Sequence, residues 1–253
     1  MSKVRSLLVG LSHLLPKDAA ARVKWRLMIP NMEASLRNMA RLGFAPEAVI
    51  DVGAFSGTWA SMCRRVFPSS RILMCEPQPS MADRLRSLAG ELGRTELAPV
   101  LLSDESGREV DFYLSKTGSS MYEFEGSAGV EKVTLTTATL DETVAGTPFE
   151  KPGLLKLDVQ GAELDVLRGG TRTLASADAV VLEASIVEEY KGSPLIHEVI
   201  AFMAERGFLL YDVCTVWRNT PSEAMNQADL IFVRRGAPLF DAVHYTKKAP
   251  LGQ

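Results

Sequence analysis

The charged residues least expected where they stand are Lys156 and Asp158, set inside the apolar run LLKLDV at 154–159. A charge within a core strand is costly unless it is paired or has chemical work to do. Being two residues apart, both side chains point to the same face of a regular strand. Either they form a salt bridge kept for packing, or Asp158, at the strand's carboxyl end, takes the proton of a substrate hydroxyl while Lys156 orients it. Glu183 closes another apolar run, VVLE at 180–183, and so brings a second carboxylate to a neighbouring strand end. The two acids could share acid–base work or hold a divalent cation. No third ligand is evident from spacing, so a metal is the lesser alternative. Gln160 and Glu163 follow Asp158, with Gly161 between them permitting close backbone approach. Glu163 opens a helix, where a carboxylate suits the N-terminus, and is as readily a cap as a catalyst. Histidine supplies no base: His13 and His244 fall outside the domain and His197 sits in a helix among structural neighbours, which removes Ser-His-Asp and zinc chemistry.

A second constellation occupies 48–58, AVIDVGAFSGT. Val49, Ile50 and Val52 make the nearly continuous β-branched run of a strand buried on both faces of a parallel sheet. Gly53 and Gly57, with Ala54 and Phe55 between them, let the chain turn tightly against a ligand at the start of the next helix. The spacing is G-x-x-x-G and not the G-x-G-x-x-G that seats a pyrophosphate. Asp51, just ahead of the first glycine, would repel a phosphate but could accept hydrogen bonds from an amino group or favour a cation. S-adenosylmethionine, an adenosine carrying a sulfonium and an amino acid, meets both conditions, and Asp158 would then meet the sulfonium's methyl group as well as the acceptor hydroxyl. The next run, RILMCE at 71–76, ends in Glu76, roughly 20 residues after the glycines, where a ribose-binding acid is expected. Ser103 and Asp104 end a third strand at 97–102 beside the same crevice, and Asp104 either accepts from the adenine amino group or forms an Asx turn. A nicotinamide-dependent oxidoreductase shares the glycine turn and the ribose acid but wants the pyrophosphate fingerprint. A non-catalytic binding protein of the same fold is the other alternative.

DVGAFSG and CEP, followed by LLKLDVQGAELDVLRGG at 154–170, resemble the FkbM family of S-adenosylmethionine-dependent O-methyltransferases over roughly residues 49–235. The resemblance implies a class I methyltransferase fold and methylation of hydroxyls on sugars, polyketides or related metabolites, with a small molecule or glycan as acceptor. It also marks Gly118, Ser119, Ser120 and Tyr122 as candidate ligand contacts. Ser120 and Tyr122, together with Gln160 and Glu163 beside Asp158, are assigned to the substrate side.

The elements that must position these groups follow from periodicity. Apolar runs at 48–52, 71–76, 97–102, 154–159 and 180–183 predict strands. Between them lie helical patterns at 31–43, capped by Asn31, at 58–67, ended by Pro68, at 80–92, capped by Ser80, at 162–167 and from Pro194 to Gly207. Alternation over Val110, Phe112, Leu114 and again over Val133, Leu135, Thr137 predicts extra antiparallel strands around a loop at 116–129. Strands at 208–213 and 229–233 form a terminal antiparallel pair, and the loop 214–228 between them offers Trp217, Arg218, Asn219 and Asn226 to grip a sugar or another polyol. The expected architecture is α/β: a Rossmann-like class I methyltransferase fold with a mostly parallel seven-stranded sheet, helices on both faces, and extra antiparallel strands inserted after the third strand.

With 253 residues, 46% of them hydrophobic, the chain can bury one α/β core. A net charge of −3 gives no field that would attract nucleic acid, which is excluded as a partner. Cys63, Cys75 and Cys214 lie apart in apolar contexts and read as reduced core residues of a cytoplasmic protein. The domain plan is an N-terminal helical segment at 1–30, a methyltransferase domain at 31–235 and a C-terminal tail at 236–253. In the first segment Leu7, Leu8, Leu11, Leu14 and Leu15 share one stripe ahead of Lys17, Arg22, Lys24 and Arg26. That pattern suits peripheral contact with a membrane surface, or docking on its own domain or a partner. Ser12 and His13 interrupt the run and no clean cleavage site follows, which argues against a secretory signal. Homodimer formation is left open.

Overall fold

Strand β1 (Ala48–Val52), with every side chain buried, lies inside a seven-stranded sheet of the computed structural model, which describes residues 31–115, 118–124, 127–219 and 222–242. Parallel neighbours β2 (Arg71–Cys75) and β7 (Leu154–Leu157) flank it, and β3 (Thr95–Ala98) and β8 (Ala179–Ser185) continue the sheet in parallel on either side. A hairpin of β9 (Phe208–Arg218) and β10 (Met225–Arg234) completes the order β3-β2-β1-β7-β8-β10-β9, with β10 antiparallel to both its neighbours. The order of strands reverses between β1 and β7, so their carboxyl ends open the crevice where ligands bind in such sheets.

Strand alternation sorts the core into two layers. Ile50, Val52, Leu155, Leu157, Val180 and Leu182 pack with α5 (Glu163–Arg168), α6 (Thr171–Ser176) and α7 (Ile196–Glu205). Val49, Leu154, Val181 and Ile231 point to the other face, toward α1 (Met32–Arg41), α2 (Thr58–Val66) and α3 (Ala82–Leu92). The Asn31 side chain caps α1 as expected, accepting from Ala34 N at 3.0 Å. A short sheet sits beside the main one, formed by β4 (Leu101–Ser103), β6 (Lys132–Thr139) and β5 (Glu109–Tyr113), with β5 and β6 antiparallel. This is the expected insertion, and β6 leads into the short helix α4 (Leu140–Val144), capped by Thr139.

Four boundaries differ from expectation. The third strand is not continuous: Pro99, with no N–H for a ladder, separates β3 from β4 and sends them to different sheets. Ser80 does not cap α3, because Pro79–Met81 forms a 3-10 turn and the helix starts at Ala82 without a side-chain cap. The terminal strands are longer than their apolar runs, since pairing with each other carries them to Arg218 and Met225, and Trp217 and Arg218 therefore lie on β9 and not in a loop. Beyond Arg235, Pro238–Ala242 forms another 3-10 turn, with Leu239 buried and Phe240 meeting the Tyr211 ring edge-on at 5.7 Å. The N-terminal segment 1–30 with its leucine stripe and His13, and residues 243–253 with His244, lie outside the described residues. Among the described residues no helix is long and apolar enough to cross a membrane.

Candidate active site

The turn after β1 is built for close approach. Gly53 has φ +74°, and a Cβ there would stand 1.9 Å from the backbone oxygen of Asp158, so only glycine lets the ends of β1 and β7 meet. Gly57 has a different use: a Cβ would stand 2.1 Å from Leu88 Cδ2, and the missing side chain is taken up by packing against α3. Between them Phe55 is held at φ +43°, a left-handed conformation unfavourable for a bulky side chain. Its N–H donates to Glu76 Oε2 at 2.7 Å, while Gln78 N donates to Oε1 at 3.0 Å. Glu76 is 4% exposed, and burial pushes its carboxyl above the usual range against those two donors. Each oxygen keeps further acceptor capacity. Glu76 lines a cavity whose apolar walls include Phe55, Val100, Leu101 and Leu102, and among the described residues no Lys or Arg lines it. Such a cavity suits a nucleoside, with walls for a base and an acid for ribose hydroxyls. Its described lining offers no counter-charge to a phosphate.

The charged residues collect on the α2 face of the sheet because alternation puts them there. Asp51 is the register partner of Lys156, and Glu183 that of Asp229. Lys156 Nζ lies 3.1 Å from Asp51 Oδ1 and 3.5 Å from Asp158 Oδ2, and donates to the carbonyl of Gly53 at 3.1 Å. Burial opposes its charge, but Asp51 and Asp158 outweigh it and hold the lysine above its ordinary pKa. The Asp51 side chain is fully sealed, whereas that of Asp158 is 42% exposed at the end of β7 and lines the cavity.

Gln160 joins the second acid to the first. Its Nε2 donates to Asp158 Oδ1 at 2.8 Å and to Glu183 Oε2 at 2.9 Å, while Tyr190 donates its hydroxyl to Gln160 Oε1 and so fixes which end of the amide faces the carboxylates. Gln160 is itself left-handed, φ +57°, with its carbonyl accepting from Ser120 Oγ at 2.7 Å. Gly161 leaves room for this clasp, since a Cβ would crowd Ser193 and Tyr190 at 3.0 and 3.1 Å. Burial first, then the Asp158 charge, pushes Glu183 up to about 9, so it holds its proton at neutral pH. Glu163 is pushed to about 7 by burial, and it accepts from Val159 N at 2.9 Å and Gly161 N at 3.1 Å. It therefore ties down the Asp158–Gln160 loop.

The structure thus brings together Gly53, Phe55, Glu76, Asp158 and Gln160 on one cavity, with Lys156, Glu163, Glu183 and Ser120 in direct hydrogen-bond or ionic contact with Asp158 or the loop that follows it. Asp51 and Ala54 are buried behind them. Other candidates stand elsewhere. Ser103 is buried and bonded to Asp104, which is exposed and paired with Arg108 at 3.1 Å. Tyr122 donates to Asp165 and lines a separate groove with Arg168 and Phe202. Trp217 is 55% exposed, and Arg218 donates to the Glu223 carbonyl at 2.8 Å. Two residues were missed. Tyr190 lies in a loop with no periodic signal. Asp229, an acid inside the apolar strand ADLIFV, carries the same signal that singled out Lys156.

The Methyltransferase FkbM domain matches residues 51–210. The chain is 30% identical over 173 residues to 2-O-methyltransferase NoeI of Sinorhizobium fredii, covering 62% of this chain and 71% of NoeI. It is 30% identical over 136 residues to hexuronic acid methyltransferase AglP of Haloferax volcanii, covering 53% of this chain and 54% of AglP. Among solved structures it is similar to the O-methyltransferase TomG from Streptomyces achromogenes, 16% identical with a TM-score of 0.49, covering 92% of this chain and 99% of that one.

Proposed function

The chain belongs to the FkbM methyltransferase family, whose members use S-adenosylmethionine, and from that premise we propose that it methylates a hydroxyl of a sugar or glycan. The nicotinamide alternative falls with the family, and the sugar acceptor draws support from relatives named a 2-O-methyltransferase and a hexuronic acid methyltransferase. When bound, S-adenosylmethionine supplies an electrophilic methyl group on its sulfonium. Glu76 would hold the ribose, and Phe55, Leu101 and Leu102 would wall the adenine.

The observation that carries the proposal is the setting of Asp158. Its carboxylate is open to the cavity and anchored at both oxygens, by Lys156 Nζ at 3.5 Å and Gln160 Nε2 at 2.8 Å. A hydroxyl is a poor nucleophile until its proton is removed, and a positioned base contributes about 10²–10⁴-fold. Asp158 takes that proton. Lys156 orients it from below, Gln160 from the side, and Glu183 stays protonated as the neutral neighbour that Gln160 also binds. Among the described residues no group of three or more His, Cys, Asp or Glu side chains could hold a metal ion, and no metal step is proposed. Incubation with methyl-labelled S-adenosylmethionine and a panel of glycosides, followed by mass spectrometry, should give a methyl ether on a sugar. Label transferred only to nitrogen or to a non-sugar hydroxyl would overturn the proposal.

A further inference from the structure

We propose that Ser120 is a positioning residue: its hydroxyl holds the Gln160 backbone and, through the Gln160 amide, sets the direction of the Asp158 carboxylate. This rests on the base role proposed above for Asp158 and deepens it.

The turn at 118–122 faces two ways. Ser119 and Met121 line the nucleoside cavity. Ser120, between them, is fully buried, and its Oγ donates to the Gln160 carbonyl at 2.7 Å. The same oxygen accepts from Tyr122 N at 3.0 Å, which fixes the hydroxyl and leaves its proton for Gln160. Among the described residues no second donor is bonded to that carbonyl. With no exposed surface, Ser120 serves a protein partner and not a ligand.

Gln160 needs such a hold. It stands at φ +57° and Gly161 at φ +101°, so the chain leaving β7 passes through two left-handed residues in a row. A residue other than glycine stays in that region only where its surroundings fix it. Glu163 accepts from the N–H groups on either side, those of Val159 and Gly161, and Ser120 holds the carbonyl of the residue between. From that backbone the side chain reaches Asp158 Oδ1 at 2.8 Å and Glu183 Oε2 at 2.9 Å. Tyr190 orients the far end of the side chain and Ser120 fixes its root.

The turn itself does not depend on the hydroxyl. Tyr113 N donates to the Ser120 carbonyl at 2.8 Å and Ser120 N to the Tyr113 carbonyl at 3.2 Å, which ties the turn to the end of β5, and Ser115 N donates to Ser119 Oγ at 2.9 Å. Removing the hydroxyl therefore leaves the cavity wall standing and releases Gln160. The loss falls on the transfer step and not on cofactor binding.

The test compares Ser120→Ala, Gln160→Asn and the double variant, all as the full chain. The chain has four glutamines, so isotope-labelled glutamine gives a short side-chain amide spectrum in which the Gln160 signal is the one that Gln160→Asn removes. That amide should exchange with water about tenfold faster in Ser120→Ala than in wild type. Single-turnover methyl transfer should slow about tenfold while the affinity for S-adenosylmethionine stays within a few-fold. Asparagine tolerates a left-handed backbone but is too short to bridge both acids, so in Gln160→Asn the addition of Ser120→Ala should slow transfer by less than about threefold. Should Ser120→Ala not fold, Ser120→Cys, of similar shape with a weaker donor, is read by the same measurements. A Gln160 amide as protected in Ser120→Ala as in wild type overturns the inference. So does a full loss of rate in both backgrounds, which would mean that Ser120 acts by another route. Asp158→Asn, run alongside, reports on the base: if it transfers at the normal rate, the base role is what fails, and the amide signal alone then decides for or against Ser120.

Discussion

Lys156 Nζ stands 3.1 Å from Asp51 Oδ1, two register partners on adjacent parallel strands whose side chains are 6% and 0% exposed. Neither Asp51 oxygen makes a well-aligned hydrogen bond, and the ion pair is the largest compensation of its charge, ahead of the Ala60 backbone N–H. Removing one partner leaves the other buried and uncompensated. Lys156→Met alone should destabilise the fold by about 3–5 kcal/mol, and adding Asp51→Leu should recover most of that loss. Urea denaturation of the two variants checks it. A double variant no more stable than the single one would mean that Asp158 depends on Lys156 for the fold as well as for its position.

Glu76 is held by two backbone donors and lines the nucleoside cavity. Glu76→Ala should weaken S-adenosylmethionine binding by about 1.5–3 kcal/mol, the range for hydrogen bonds to a charged group. Calorimetry on a variant that retains its circular dichroism spectrum decides the matter, and unchanged affinity would take Glu76 out of the site.

Much of this arrangement is legible in the chain because its cause is local. A β-branched run before Gly53, an acid closing RILMCE, and a lysine inside LLKL each announce themselves in a few residues, and all three fall where the sheet needs them. What could not be read depends on distant partners. Trp217 and Arg218 belong to a strand only because Met225 and Gln227 pair with them, and their side chains end outside the cavity. Ser103 and Asp104 end a strand expected to run on from 97, but Pro99 moves that stretch to the smaller sheet, where Leu101 and Leu102 line the cavity while Ser103 bonds Asp104 and Asp104 pairs with Arg108. Tyr190 reaches Gln160 across 30 residues from an irregular loop, and nothing in EEYKGS marks it.

Tyr190→Phe removes the hydroxyl that sets the orientation of the Gln160 amide. The loss of stability should be about 0.5–1.5 kcal/mol, as for one ordinary hydrogen bond. Because a misplaced amide would also misplace Asp158, kcat should fall about tenfold while the KM for S-adenosylmethionine holds. Steady-state kinetics separates the two parameters, and an unchanged kcat would reduce Tyr190 to a packing residue.

Glu183 titrates in the folded protein at about 9, well above its ordinary value of 4.5. The folded state therefore keeps a proton that the unfolded chain releases, and stability declines as pH rises from about 4.5 toward 9. Glu163, at about 7, adds to the decline in the lower part of that window. In Glu183→Gln the upper part should flatten, narrowing the fall in Tm of cofactor-free protein between pH 7 and 9 by several degrees, at roughly 2–4 °C per kcal/mol for a chain of this size. Parallel curves for variant and wild type would show that Glu183 is ionised at neutral pH.

The central claim is that Asp158 takes the acceptor's proton, and its most direct test is single-turnover methyl transfer by Asp158→Asn, measured with S-adenosylmethionine saturating and its affinity determined separately. Asparagine keeps the shape and can still meet Gln160, but it cannot accept the proton. Cofactor affinity should stay within a few-fold while the rate of transfer falls by about two to four orders of magnitude. A variant that loses its affinity for S-adenosylmethionine yet transfers at the normal rate once loaded would contradict the claim, making Asp158 a cofactor-binding residue and leaving the base to be found elsewhere on the cavity.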